Sequence, residues 1–249
     1  MKFNKIIVLG IFAMIISSIF SFSAKAGDWV QWHSTNIQLL KGWDYDVGEE
    51  GRTIITLEHA NSWKYGDFFM FIDGTRFDPG KTTAYGEFAP RLSLSKISGK
   101  KLSYGIVKDV LISTMYEKGK SDIRAYLYGG AIDLDIPGFK FFKTNFFIRD
   151  NPEIQNERTW QITLAWNSPF EIGQQKFLFE GFADFAGDEG RTYHKNQMIV
   201  PRLLMDIGRA IGKKEGKLYG GIEYQYWHNK FGIDGKTESV PQLQLKWVF

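Results

Sequence analysis

From Asn36 to the end of the chain, apolar and polar residues alternate in short runs separated by turn residues. Side chains in an extended strand point alternately to its two faces, so this period of two predicts strands with one apolar and one polar face. The closing stretch Pro241–Phe249 shows it plainly. Leu243, Leu245, Trp247 and Phe249 share one face, and Gln242, Gln244 and Lys246 share the other. Thr159–Trp166 sets Trp160, Ile162, Leu164 and Trp166 against Thr159, Gln161 and Thr163. Gly66–Asp73 puts Phe68, Met70 and Ile72 opposite Asp67, Phe69, Phe71 and Asp73.

Twelve such segments can be traced. They are 36–43, 52–61, 66–73, 85–96, 102–115, 123–136, 139–149, 159–166, 176–185, 197–211, 218–228 and a last one that 231–239 leads into. Helical periodicity competes only over Leu203–Ile211, and no internal repeat stands out. Pro90, Pro201 and Pro241 fall in or beside predicted strands. Because proline cannot donate to a ladder, these positions are expected at strand ends, bulges or a rim. An even number of amphipathic strands and a final strand ending on an aromatic residue predict an all-β fold, a transmembrane antiparallel β-barrel of outer-membrane type.

The first 26 residues read as a cleaved secretory signal: Lys2 and Lys5, an apolar run from Ile6 to Ile16, then the small-x-small step Ala24-Lys25-Ala26. The run is shorter than the ~20 apolar residues a membrane-spanning helix needs. One barrel domain is expected over 27–249. The signal holds three of the 31 basic residues and no acids, and 31 − 3 leaves 28 basic against 28 acidic residues. The formal charge of +3 therefore belongs to the signal, and no nucleic-acid surface is expected. Mean hydropathy is negative, as in a soluble periplasmic sandwich. Aromatic residues nevertheless make up 16% of the chain, which suits a barrel whose apolar band is hidden in alternate positions.

With each apolar face turned to lipid, Glu58, Asp67, Asp73, Glu87, Arg91, Asp133, Lys143, Arg149, Glu180, Asp184 and Glu223 point into the lumen, together with Phe69, Phe71, Phe147, Phe182 and Trp227. Charges of both signs can pair across a narrow interior. A merely hydrated passage has no need of phenylalanine, whereas a base can stack on such rings while carboxylates and arginines bond its edge or sugar. The candidate solute-binding set is thus Phe69, Phe71, Phe147, Phe182 and Trp227 with Glu58, Asp67, Asp73, Glu87, Arg91, Arg149, Glu180 and Asp184. His33, His59, His194 and His228 lack metal-ligand spacing, and no nucleophile–base set or phosphate loop is evident. No catalytic residue, metal or cofactor is expected.

Trp63-Lys64-Tyr65-Gly66-Asp67-Phe68-Phe69-Met70-Phe71-Ile72-Asp73 resembles a stretch of the nucleoside-specific channel (Tsx) family, which includes an OmpK-like branch. Leu57-Glu58-His59-Ala60, Tyr85-Gly86-Glu87, Pro90-Arg91, Ile136-Pro137-Gly138-Phe139, Phe179–Asp184 and Pro241–Phe249 are similar to the same family in the same order. The resemblance implies a twelve-stranded barrel in the Gram-negative outer membrane that admits nucleosides by passive diffusion. The alternative is a general small porin or a phage or colicin receptor of OmpK type, acting through charged loops such as Glu117–Asp122 and Asp188–Asn196. Outer-membrane lipid surrounds such a barrel, and the strand ending in Phe249 is the expected handle for the barrel-assembly machinery.

Overall fold

The computed structural model describes residues 29–78, 80–120, 124–153 and 157–249. Within them twelve strands close into one antiparallel barrel. They are β1 (Val30–Gly42), β2 (Arg52–Trp63), β3 (Gly66–Phe77), β4 (Thr82–Ser93), β5 (Val107–Gly119), β6 (Arg124–Leu134), β7 (Phe141–Asp150), β8 (Arg158–Ile172), β9 (Gln175–Ala186), β10 (Asn196–Asp206), β11 (Leu218–His228) and β12 (Thr237–Val248). Each pairs with its neighbours in sequence, and β12 closes on β1 from Asn36↔Val248 to Gly42↔Gln242. The signal predicted over 1–26 and the loop residues Ser121 and Asp122 lie outside the described residues.

Large apolar side chains such as Leu39, Ile55, Ile112, Trp160, Leu203, Ile222, Leu243 and Trp247 stand exposed on the outer wall. The buried side of the barrel wall carries Asn36, Gln38, Arg91, Gln161, Glu180, Glu223, Gln242 and Lys246. That is a soluble protein turned inside out. It suits a hydrocarbon surround, because closure leaves no unpaired strand edge. No helix of the described residues is long and apolar enough to cross a membrane. The strands do the crossing.

One end of the barrel has two-residue turns, Lys64–Tyr65 and 173–174, and is called the hairpin end here; the other is the loop end. At the hairpin end Trp63 and Trp29 meet Tyr65 edge-on at 5.6 and 5.9 Å, and Lys64 Nζ lies 5.2 Å from the Tyr65 ring. Amphipathic rings with a cationic neighbour are what an interfacial girdle requires.

Several boundaries depart from the sequence pattern. β1 begins six residues before Asn36, because Trp32 and its neighbours pair with β2 although their alternation is irregular. β3 runs on to Phe77 and β8 to Ile172. β4 stops at Ser93, and Leu94–Ser98 forms a short helix, α1. Ser93 caps it, its hydroxyl accepting from Lys96 N at 3.0 Å, so a local side-chain bond ends the strand. The stretch with competing helical periodicity divides the same way: β10 ends at Asp206, which caps the helix α2 (Ile207–Ala210) by accepting from Arg209 N at 3.0 Å. β5 starts at Val107 and extends to Gly119, which places Glu117 in the wall rather than in a charged loop. The three prolines lie inside strands, not at a rim.

Candidate functional site

In an antiparallel barrel, residues directly opposite one another project to the same side. The partners Asp67↔Arg91↔Ser113↔Gly129↔Phe147↔Gln161 therefore form one inward-facing course. Asn167↔Glu180↔Arg202↔Glu223↔Gln242 forms another. Every candidate residue named from the sequence stands on this inner parity. What the structure adds is how they are joined.

Three arginines organise the charges. Arg91 forks onto Asp67, Nε to Oδ1 at 2.9 Å and Nη2 to Oδ2 at 2.7 Å, and reaches Asp133 through Nη1 at 2.8 Å. Lys143 stands 3.4 Å from Asp67. Toward the loop end, Arg149 holds Glu117 at 2.6 and 2.8 Å, Glu189 at 2.7 Å and the Gln161 carbonyl at 2.9 Å. The third, Arg202, is not among the candidates, although its partners Glu58 and Glu180 are. Arg202 donates to Glu223 at 2.6 Å and lies 3.4 Å from Glu58 and 4.0 Å from Glu180. Lys246 donates to Glu180 at 2.5 Å. Planar guanidinium forks suit such paired carboxylates, and buried ions need partners of this quality. Asn36, Gln38, Gln242 and Asn167 each give a further amide donor to one of these glutamates. The signal for this third cluster was the inward parity of Arg202 and Lys246.

Other carboxylates have no cation. Asp73 Oδ1 accepts from Thr56 at 2.5 Å, Glu87 Oε1 from Tyr85 at 2.7 Å and Asp184 Oδ1 from Thr163 at 2.6 Å. Among the described residues no Lys or Arg stands within 4.0 Å of any of the three, and their second oxygens take no bond. Beside the first two lies an aromatic wall. Phe69 and Phe71 have centroids 6.1 Å apart, and Phe71 and Tyr85 5.9 Å apart. Glu87 is directly opposite Phe71 and Asp73 directly opposite Tyr85.

Phe147 is engaged differently, 4% exposed in an apolar cluster with Ala125, Leu127 and Met115. Trp227 sits under the β11–β12 loop, edge-on to Phe231 at 4.8 Å, with Nε1 donating to Asn196 at 3.3 Å. Phe182 lies on the inner parity between Ala165 and Val200. At the loop end Lys230 is fully buried against Glu238. Arg52 covers the Tyr45 ring at 3.8 Å, and burial raises the Tyr45 hydroxyl above its usual range. Burial likewise pushes the Tyr193 hydroxyl up to about 12 and raises Glu189 in spite of Arg149.

Residues 27–246 match the family described as the nucleoside-specific channel-forming protein, Tsx. The chain belongs to this family. Among similar proteins, an outer membrane protein OmpK from Vibrio parahaemolyticus is 28% identical over 153 residues, 60% of this chain and 51% of the relative. An OmpK from Vibrio parahaemolyticus serotype O3:K6 (strain RIMD 2210633) is 21% identical over 217 residues, 81% and 73% of the two. The chain thus spans about half the length of the first relative in the matched region. Of solved structures, the NanC porin superposes with a TM-score of 0.54 at 11% identity over 85% of this chain and 98% of the porin. The KdgM porin gives 0.50 at 7% identity over 87% and 99%. At such identities the likeness is one of fold. This Tsx-family protein is an outer-membrane β-barrel of the channel and porin type.

Proposed function

We propose that this Tsx-family barrel passes nucleosides down their concentration gradient. The observation that carries the proposal is the wall formed by Phe69, Phe71 and Tyr85 with Asp73 and Glu87 upon it, and Asp184 inward on β9, each carboxylate held by one oxygen with the other free. A flat base finds ring faces there, and ribose hydroxyls find acceptors without displacing an ion pair. Phe182 offers a separate ring on the inner parity of β9. Glu58, Asp67, Arg91, Arg149 and Glu180 act mainly on one another and shape the passage, while Phe147 and Trp227 back the wall and the loop. Binding must stay weak, since a tightly held solute does not leave.

The test is single-channel conductance of the refolded protein in a planar bilayer, titrated with thymidine, adenosine and a free pentose. Block by both nucleosides and not by the pentose is expected. Indifference to all three would reduce the protein to a general small porin or a receptor acting through its loops.

A further inference from the structure

Two strands of this barrel are built alike and stand opposite each other. β4 carries Pro90-Arg91-Leu92 and β10 carries Pro201-Arg202-Leu203, six strands apart in a closed ring of twelve. Both prolines take the outward parity and both arginines the inward. Toward the preceding strand each proline stays in register, Phe68↔Pro90 and Gly181↔Pro201. Toward the following strand the ladder breaks. Pairing stops at Phe88↔Tyr116 and resumes at Arg91↔Ser113; in the other strand it stops at Ile199↔Tyr226 and resumes at Arg202↔Glu223. The register is unchanged across both gaps, so no residue is inserted. The ladder merely lacks two rungs where proline has no N–H to give. At Pro90 a side chain substitutes for the ladder, the Thr114 hydroxyl donating to the Pro90 carbonyl at 3.1 Å.

Each arginine then ties together what its own proline loosens. Arg91 holds Asp67 on the strand before it and Asp133 beyond the broken seam. Arg202 faces Glu180 on the strand before it and holds Glu223 across the broken seam. Both strands end in a short capped helix at the hairpin end, the caps being Ser93 and Asp206.

The lumen supplies the reason for such a device. Beside Arg91, itself 4% exposed, Asp67, Asp133 and Lys143 keep 18%, 23% and 25%, but around Arg202 the side chains of Glu58, Glu180, Glu223 and Lys246 are no more than 13% exposed. A layer that water barely reaches has no space for a solute, so the bore must widen for anything to pass. A continuous ladder resists widening, and the two proline seams are interrupted. We propose that the wall yields at these two opposed seams, with Arg91 and Arg202 as positioning residues that hold the narrow bore and let it open. This rests on the channel reading above.

The chain has no cysteine, so engineered pairs are unambiguous. Ala89→Cys with Met115→Cys spans the gap beside Pro90, and Val200→Cys with Gln225→Cys spans the gap beside Pro201. Ile132→Cys with Thr144→Cys spans an intact seam as control. Single-channel conductance and the half-blocking thymidine concentration are measured before and after reduction. Oxidised seam pairs are expected to lower conductance several-fold, with recovery on reduction and no change in the control. Pro90→Ala with Pro201→Ala, which returns the missing N–H groups, is expected to lower it in the same direction without a cross-link. Arg91→Lys, which replaces the fork by a point charge, is expected to raise conductance while leaving thymidine block near its original concentration. Seam pairs that conduct equally when oxidised and reduced, in a barrel blocked normally by thymidine, would overturn the inference and leave the channel reading standing. A parent protein that conducts nothing would overturn both.

Discussion

The lumen carboxylates are of two kinds. Glu58 is engaged at both oxygens, by Asn36 and Lys246 at one and by Gln38 and Arg202 at the other. Asp73, Glu87 and Asp184 are held at one oxygen only, by neutral hydroxyls and, at Asp184, the Gln161 amide as well. Both kinds sit on the same inner parity, yet the first is spent on bracing the barrel and the second remains available to a passing solute. Residue type does not distinguish them. The difference is whether a cation arrives from another strand.

The comparison is broken most severely by removing a cation from the braced set. Lys246→Met should strand Glu58 and Glu180 without their ammonium in a layer almost closed to water. Losing one partner of a buried ion pair costs about 3–5 kcal/mol. Urea unfolding of the refolded barrel, followed by tryptophan fluorescence, should show a midpoint shift of that order. An unshifted midpoint would mean the cluster is hydrated and weakly coupled.

On the available side, Phe71→Ala should leave folding intact and weaken nucleoside block. Aromatic stacking of this kind contributes about 0.5–1.5 kcal/mol, so a several-fold higher half-blocking concentration is expected. An unchanged value would remove Phe71 from the binding wall.

The loop end offers a test by pH. Lys230 is buried beside Glu238, with Arg52, Asp46, Tyr45, Trp227 and Phe231 around it. Burial lowers its ammonium to about 8, the bond to Glu238 opposing the shift. An unfolded lysine titrates near ~10.4. Between these values the folded state binds fewer protons than the unfolded one, so this contribution to stability grows as pH rises from about 8 and is absent below it. Amide protection factors over residues 229–236 should rise between pH 7.5 and 9.5. A fall would show that the charged pair is the stabilising form.

The smallest effect is expected at Lys41 and Asp78, paired at 2.8 Å on the exposed loop end. Water and salt screen such pairs, and Lys41→Met should leave the unfolding midpoint unchanged within error.

Much of this architecture is legible in the chain. Leu218–His228 was readable to the residue, and the closing strand from Leu243 to Trp247 has the faces its alternation implies. Where the readings stray, a local bond has overridden the pattern, as at Ser93 and Asp206, whose side chains cap helices inside stretches that still look like strands. Phe147 shows the limit for the site. Its parity was evident, but its burial against Ala125 and Leu127 on the neighbouring strand was not.

What the amino-acid order determines by itself is the number of strands, the side each residue takes and hence the polar lumen and apolar wall. Those follow from a period of two, a property of neighbouring residues. Which carboxylate meets which cation was decided only by closure and register. Arg202 and Glu58 are 144 positions apart, and Gln244 and Gln38 are 206 apart. No local pattern can encode a partner that the barrel brings round from its far side.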